Sequence, residues 1–200
     1  MYKRQIKRLK ENNNFVLAAQ NILRLSEAYK QANHLQEALD LAKEAHEIML
    51  KFNGKIHLLS ASSSGYLGSI YIYQEDWKNA EPMIQHSMVV RSKLLGEFNT
   101  KVCIPYINLA IIYMHTDRLD AAEELLLKAL MIREKRFGRL HQDVAITLYE
   151  LANLRGLQMN INEALTLHLE AYEIRKTKLG LVHYFTNKSR LALALSLIHI

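Results

Sequence analysis

The stretch Asn108-Leu109-Ala110-Ile111-Ile112-Tyr113-Met114-His115-Thr116-Asp117-Arg118-Leu119-Asp120-Ala121-Ala122-Glu123-Glu124-Leu125-Leu126-Leu127-Lys128-Ala129 decides the fold. Leu109, Ile112 and Tyr113 recur at helical spacing, and so do Ala122, Leu125, Leu126 and Ala129. Between the two sets lies a short polar turn, His115-Thr116-Asp117-Arg118. The stretch reads as a helical hairpin.

The same pattern recurs every 42 residues. Leu25, Leu67, Leu109 and Leu151 form one column, followed by the small residues Ser26, Gly68, Ala110 and Ala152. Tyr29, Tyr71 and Tyr113 form the next, broken by Arg155. Ala38, Ala80, Ala122 and Ala164 come next, then the small set Ala45, Ser87, Ala129 and Ala171, then Ile48, Val90, Ile132 and Ile174. Small side chains at fixed positions mark close helix crossings, and the leucines and tyrosines fill the space beside them. Gly54, Gly96, Gly138 and Gly180 close the units and suit the left-handed residue that ends a helix. Arg91, Arg133 and Arg175 precede three of those glycines and read as favourable charge at helix C-termini. Ser60 to Ser64 has a linker's composition, but the grid places it at the start of a first helix. Pro82 falls early in a second helix and predicts a kink or a late helix start.

The large–small–tyrosine pattern followed by alanine, a bulky residue and alanine resembles the tetratricopeptide repeat. Leu35, Trp77, Leu119 and Ile161 hold the bulky column at the start of the second helix. The period of 42 and the unit ending Ile132-Arg133-Glu134-Lys135-Arg136-Phe137-Gly138, followed by His141-Gln142-Asp143-Val144-Ala145, resemble the kinesin-light-chain subtype. The expected fold is an all-α, right-handed superhelical solenoid of antiparallel helix pairs. Four repeats cover 14–180 (about 14–54, 57–96, 99–138 and 141–180), and 183–195 is the first helix of a truncated fifth. No stretch reads as a domain boundary. The chain stops on apolar residues without a polar capping helix, which predicts a fragment of a longer protein. The end strings, 1–5 and 196–200, resemble translated sequencing-adapter read-through and stand outside the fold argument.

Composition narrows the function. Half of the 200 residues are hydrophobic, which excludes wholesale disorder, and one cysteine, Cys103, excludes an internal disulfide framework and points to a reducing, cytoplasmic setting. No apolar run is long enough to span a bilayer, so no membrane insertion is expected. The net charge is +6, falling to +4 without Lys3 and Arg4, too little to argue for nucleic acid.

No catalytic, cofactor or metal site emerges. His57, His141 and His183 share one unit position with Asn99. Stacked units lie about 10 Å apart, and zinc holds its donors at about 2 Å, so these residues read as helix N-caps. His168 sits in a packing column, while His34, His46, His86 and His115 fall on turns or outer faces. Cys103 reads as a small buried hydrophobe. Phosphate loops, nucleophile elbows and zinc-protease pairs are absent from the sequence.

Stacked hairpins leave their first helices on a concave side. The residues expected to face it are Arg24, Glu27, Tyr66, Ser69, Tyr73, Asn108, Ile111, His115, Tyr149, Glu150 and Asn153. Tyrosines supply contact area with few rotors, and Asn108 and Asn153 can clamp a peptide backbone. The expected function is a non-catalytic scaffold that binds partner peptides in this groove. The family resemblance implies a cargo adaptor linked to microtubule motors. His57-Leu58-Leu59-Ser60-Ala61-Ser62-Ser63, Gly96-Glu97-Phe98-Asn99 and Met159-Asn160-Ile161-Asn162-Glu163-Ala164 also resemble repeat proteins of the amyloid protein-binding type. That resemblance implies binding to cytoplasmic tails of membrane cargo and a substrate-recognition role in a cullin-type ubiquitin ligase. A helical-repeat nucleic-acid binder is a third reading. It fits poorly, because its variable polar positions would include Ile111, Tyr66 and Glu150.

Overall fold

The computed structural model describes residues 2–198, with side chains for 3–194; Met1, His199 and Ile200, which belong to the end strings, lie outside the described residues. The fold is an all-α repeat. Its helices are α1 (Tyr2–Glu11), α2 (Phe15–Gln31), α3 (Leu35–Asn53), α4 (Leu58–Tyr73) and α5 (Trp77–Leu95). After a 3₁₀ turn at Thr100–Val102 come α6 (Cys103–His115), α7 (Leu119–Phe137), α8 (Gln142–Leu157), α9 (Ile161–Leu179) and α10 (Tyr184–Ile198). Packing divides the chain into two compact units, Met1–Glu97 and Phe98–Ile200, although Gly96-Glu97-Phe98 reads like the other junctions. In the first unit α2 pairs with α3 and α4 with α5; in the second, α6 pairs with α7 and α8 with α9.

The repeat columns are the contacts. Ala38, Ala80, Ala122 and Ala164 are buried, as are Ala45, Ser87, Ala129 and Ala171. A Cβ on Gly68 would lie 2.6 Å from Ile84 Cδ1, so the helices cross too closely there for a larger residue. Leu35, Trp77, Leu119 and Ile161 are each the first residue of a second helix. The serine run lies within α4, with Ser60, Ser63 and Ser64 buried, as the grid requires.

Several local expectations change. The closing glycines have φ of 76 to 86° but ψ of 149 to 175°, a region nearly confined to glycine rather than the αL well. Positive φ outside glycine occurs in the turn inside each hairpin, at Asn33, Glu75, Asp117 and Met159 (φ of 58 to 62°, again one period apart), and at Asn13 between α1 and α2. Pro82 does not delay its helix, for α5 begins at Trp77 and runs through it. Pro105 sits in the first turn of α6, where a missing N–H costs least.

Arg133 and Arg175 are not simple C-terminal charges. They are 4% and 3% exposed. Arg133 Nη1 donates to the Asp143 carbonyl at 2.7 Å and to Thr147 Oγ1 at 2.9 Å. Arg175 Nη1 donates to the Phe185 carbonyl at 3.3 Å and to Ser189 Oγ at 2.6 Å. Each guanidinium braces a second helix to the next first helix at the same offsets, ten and fourteen residues on. Arg91 instead donates to Ser87 Oγ and Ser62 Oγ, both at 3.2 Å. His46 is a further correction: it is buried, and its Nδ1 shares a 2.9 Å hydrogen bond with Ser63 Oγ.

Candidate functional site

The candidate groove residues fall in both units, and each unit is taken by itself. In the second, α6 presents Asn108, Ile111 and His115 at helical offsets of three and four, and α8 presents Tyr149, Glu150 and Asn153. Ile111, His115, Tyr149, Glu150 and Asn153 line a single cleft of about 690 Å³; Asn108, one turn before Ile111, does not line it. The cleft also takes Ile161, Ala164 and His168 from α9 and Lys188, Leu191 and Ala192 from α10. Leu191 and Ala192 lie one period after Tyr149 and Glu150, so the grid extended once more would have reached them. Ala164 and His168 belong to columns that read as packing only.

The walls are mainly apolar and the polar groups are few. Asn153 Nδ2 donates to Glu150 Oε2 at 2.9 Å, so part of the asparagine clamp is already engaged within its own helix. Burial pushes the Glu150 carboxyl above its ordinary pKa, against the Asn153 bond and the charges of Lys188 and Arg175. Tyr149 is itself buried, its ring faced by Arg175 and Lys188, each 4.9 Å from the centroid, and by His168 at 5.2 Å. It therefore acts more as a strut than as an open contact surface. Burial, helped by Arg175, lowers His168 to about 4, so the ring is neutral near pH 7. Its Nδ1 is buried and has no hydrogen-bond partner among the described residues.

In the first unit the candidates are tied into local bonds. Glu27 pairs with Lys30 at 2.7 Å. Burial alone would raise the Glu27 carboxyl; bonds from Lys30, Tyr66 and Gln31 hold it below its ordinary value. Tyr66 meets Ser26 Oγ at 3.2 Å, and burial raises its phenol. Ser69 Oγ donates back to the Tyr66 carbonyl at 2.6 Å. Tyr73 is 64% exposed, and Arg24 lines a separate cleft between α1 and α2.

The histidine column caps helices. Nδ1 of His57, His141 and His183 accepts from the backbone N–H of Leu59, Asp143 and Phe185, and Asn99 Oδ1 accepts from that of Lys101. Among the described residues no group of three or more His, Cys, Asp or Glu gathers to hold a metal ion. Cys103 is buried, and desolvation raises its thiol against the nearby Arg133, the opposite of what a thiolate nucleophile needs. No described helix is long and apolar enough to cross a membrane.

Residues 101–177 match the tetratricopeptide repeat family model, spanning most of α6 to α9. The structure of BtubC (BKLC) from P. vanneervenii is similar at a TM-score of 0.75 and 18% identity, over 96% of this chain and 78% of that one. A kinesin light chain candidate from Podosopora anserina, made of nearly identical TPR-like repeats, is similar at a TM-score of 0.71 and 21% identity, over 88% of this chain and 84% of that one. At these identities the likeness is one of fold. No curated protein sequence matches the chain. Residues 101–177 are thus similar to tetratricopeptide repeats, and the fold of the chain is similar to that of these two solved structures.

Proposed function

We propose that this tetratricopeptide-repeat chain is a non-catalytic adaptor and that the cleft between α6, α8, α9 and α10 takes an extended segment of a partner protein. Repeats of this kind generally serve as scaffolds for other proteins. The observation that carries the reading is the convergence of Ile111, His115, Tyr149, Glu150 and Asn153 on one mainly apolar cleft with a small polar floor. Such a site buries apolar side chains and orients them with a few hydrogen bonds. The likeness to kinesin-light-chain structures favours an adaptor that links cargo to microtubule motors, and the single buried Cys103 suits the cytoplasm.

The test is a lysate pull-down with the full chain, read by mass spectrometry, against an Ile111→Ser/Asn153→Ala variant that circular dichroism shows to be folded. Partners lost in the variant are the expected result, and their identity separates motor cargo from ubiquitin-ligase substrates. Equal recovery by both proteins would remove this cleft as the site.

A further inference from the structure

A second cleft, of about 500 Å³, lies between α1 and α2 in the first unit. Its polar lining is Arg8 of α1, Asn12 just past the end of α1, and Asn21 and Arg24 of α2; one leucine from each helix completes it, and Gln5, which also lines it, belongs to the end string 1–5 and takes no part in the argument. The spacing explains the convergence. Arg8 stands on α1 and Asn12 in the turn that follows it, while residues 21 and 24 are one turn apart on α2, so both segments bring polar groups to one cleft. Asn21 is only 8% exposed, and its Oδ1 accepts from Arg24 Nη1 at 3.4 Å, while Arg8, Asn12 and Arg24 are exposed to solvent around it.

The charge balance is one-sided. The lining contains two guanidinium groups and no acidic side chain. The carboxylates of α1 and α2 are held by lysines, Glu11 by Lys7 at 4.0 Å and Glu27 by Lys30 at 2.7 Å, and Glu44 of α3 is held by Lys10. Arg8 and Arg24 therefore face one cleft with no carboxylate partner among the described residues. Two like charges converging beside a buried amide form an electrostatic arrangement that an anion relieves.

We propose that the α1–α2 cleft binds a phosphate monoester carried by a partner polypeptide. A phosphoryl group brings close to two negative charges and three acceptor oxygens near pH 7, which matches two guanidinium groups. Each guanidinium can meet two oxygens at once, and the amides of Asn12 and Asn21 add further donors. A carboxylate offers one charge and two oxygens, half of what this lining can satisfy. The proposal rests on the adaptor reading only for the carrier of the phosphate; the site lies in the other unit from the apolar cleft.

The test is an NMR titration of the full chain with acetyl-alanyl-phosphoseryl-alanine amide, following the side-chain amides of Asn12 and Asn21 and the Nε–H signals of Arg8 and Arg24. The serine and glutamate versions of the peptide and inorganic phosphate run alongside. The phosphopeptide should shift these signals and the serine peptide should not. Affinity should fall at least ~10-fold in Arg8→Gln and in Arg24→Gln, several-fold in the lysine variants, and with added salt. Ile111→Ser/Asn153→Ala should bind the phosphopeptide as the unaltered chain does, which separates this site from the α6–α10 cleft. No shift at roughly 10 mM peptide, or equal binding by both glutamine variants, would overturn the proposal. Equal affinity for the glutamate peptide would replace phosphate with carboxylate, and equal affinity for inorganic phosphate would remove the polypeptide carrier.

Discussion

Where α3 hands over to α4 the chain carries Met49; two periods later, where α7 hands over to α8, the same column holds Arg133. The two units join successive hairpins by different chemistry. In the first, short neutral groups do it: Ser60 Oγ donates to the Met49 carbonyl at 3.1 Å and the Gly54 carbonyl at 2.7 Å, and His46 meets Ser63. In the second, the position of Ser60 is Val144, and a long buried cation reaches forward instead. One backbone repeat thus accepts two solutions to the same need, a donor at the hairpin junction. The neutral one avoids burying charge. The cationic one bears a desolvation cost, offset by charge-assisted bonds and, for Arg175, by the ring of Tyr149.

The largest expected effect separates the units by acid. Both contain a buried histidine with a lowered pKa. His46 is lowered by burial and by His86 yet bonded to Ser63; His168 is lowered to about 4 by burial and Arg175, with Nδ1 unpartnered among the described residues. The unfolded chain takes up a proton near 6.5 that folded His168 refuses until about 4, so stability is full above 6.5 and is lost as pH falls through that window. The loss for His168 is roughly 2–3 kcal/mol. Urea unfolding near pH 7 and near pH 4, read unit by unit by hydrogen exchange, checks it. His168→Phe should remove most of the acid loss in the second unit and leave the first unit's loss in place. An unchanged acid loss in that variant would assign the sensitivity elsewhere.

Next in size is the brace. Arg133→Ala should cost about 2 kcal/mol, by losing two charge-assisted bonds and the packing of a buried stem while relieving a buried charge. Arg133→Met copies the first unit's residue and keeps the volume, so about 1 kcal/mol should remain. A methionine variant at or above the unaltered stability would mean that desolvation outweighs both bonds, and that Met49 is the better solution.

How legible the chain is follows from the range of the interactions. Hairpins are read easily because small residues recur at fixed steps and each step is a local contact, as with Ala122 and Ala129. The Arg133 brace was hidden because its acceptors lie ten and fourteen residues on, across a turn, and an arginine near a helix end has a simpler local reading. Arg155, which breaks the tyrosine column, likewise joins three helices: it pairs with Glu123 of α7 at 2.7 Å and Glu163 of α9 at 2.9 Å. Its bond, with that of Gln158, holds the Glu123 carboxyl at about 2. Helical offset picked out Ile111, His115, Tyr149, Glu150 and Asn153 of the α6–α10 cleft, but also Asn108, which does not line it, and it left out Lys188, Leu191 and Ala192 of α10. The α9 contribution was not disclosed, since Ala164 and His168 fall in columns that the repeat pattern reads as packing.

The close crossing in the first unit offers a smaller test. Gly68 stands where the second unit has Ala110 and Ala152. An alanine there gains helix propensity of about 1 kcal/mol but drives its Cβ to 2.6 Å from Ile84, which is fully buried. The clash should win by about 1 kcal/mol, and Ile84→Val should restore much of it in the double variant. If Gly68→Ala alone proves stabilising in thermal unfolding, α4 and α5 can separate without loss and the small column is not a steric requirement in this unit.

The smallest effect runs the other way and should be equal in both units. Glu75 in the first and Met159 in the second hold φ of 58° and 60°, in the same turn that Asn33 and Asp117 occupy. A left-handed backbone is unfavourable for a side chain that cannot bond locally, and asparagine tolerates it best after glycine. Met159 is 81% exposed, so it gives up little packing when replaced. Glu75→Asn and Met159→Asn should each stabilise by about 0.5–1 kcal/mol, and Asn33→Ala should cost a similar amount. These turns lie inside single hairpins, away from the junctions where the two units differ. A gain at Met159 but not at Glu75, measured as separate unfolding midpoints, would mean that the difference between the units reaches the hairpins themselves.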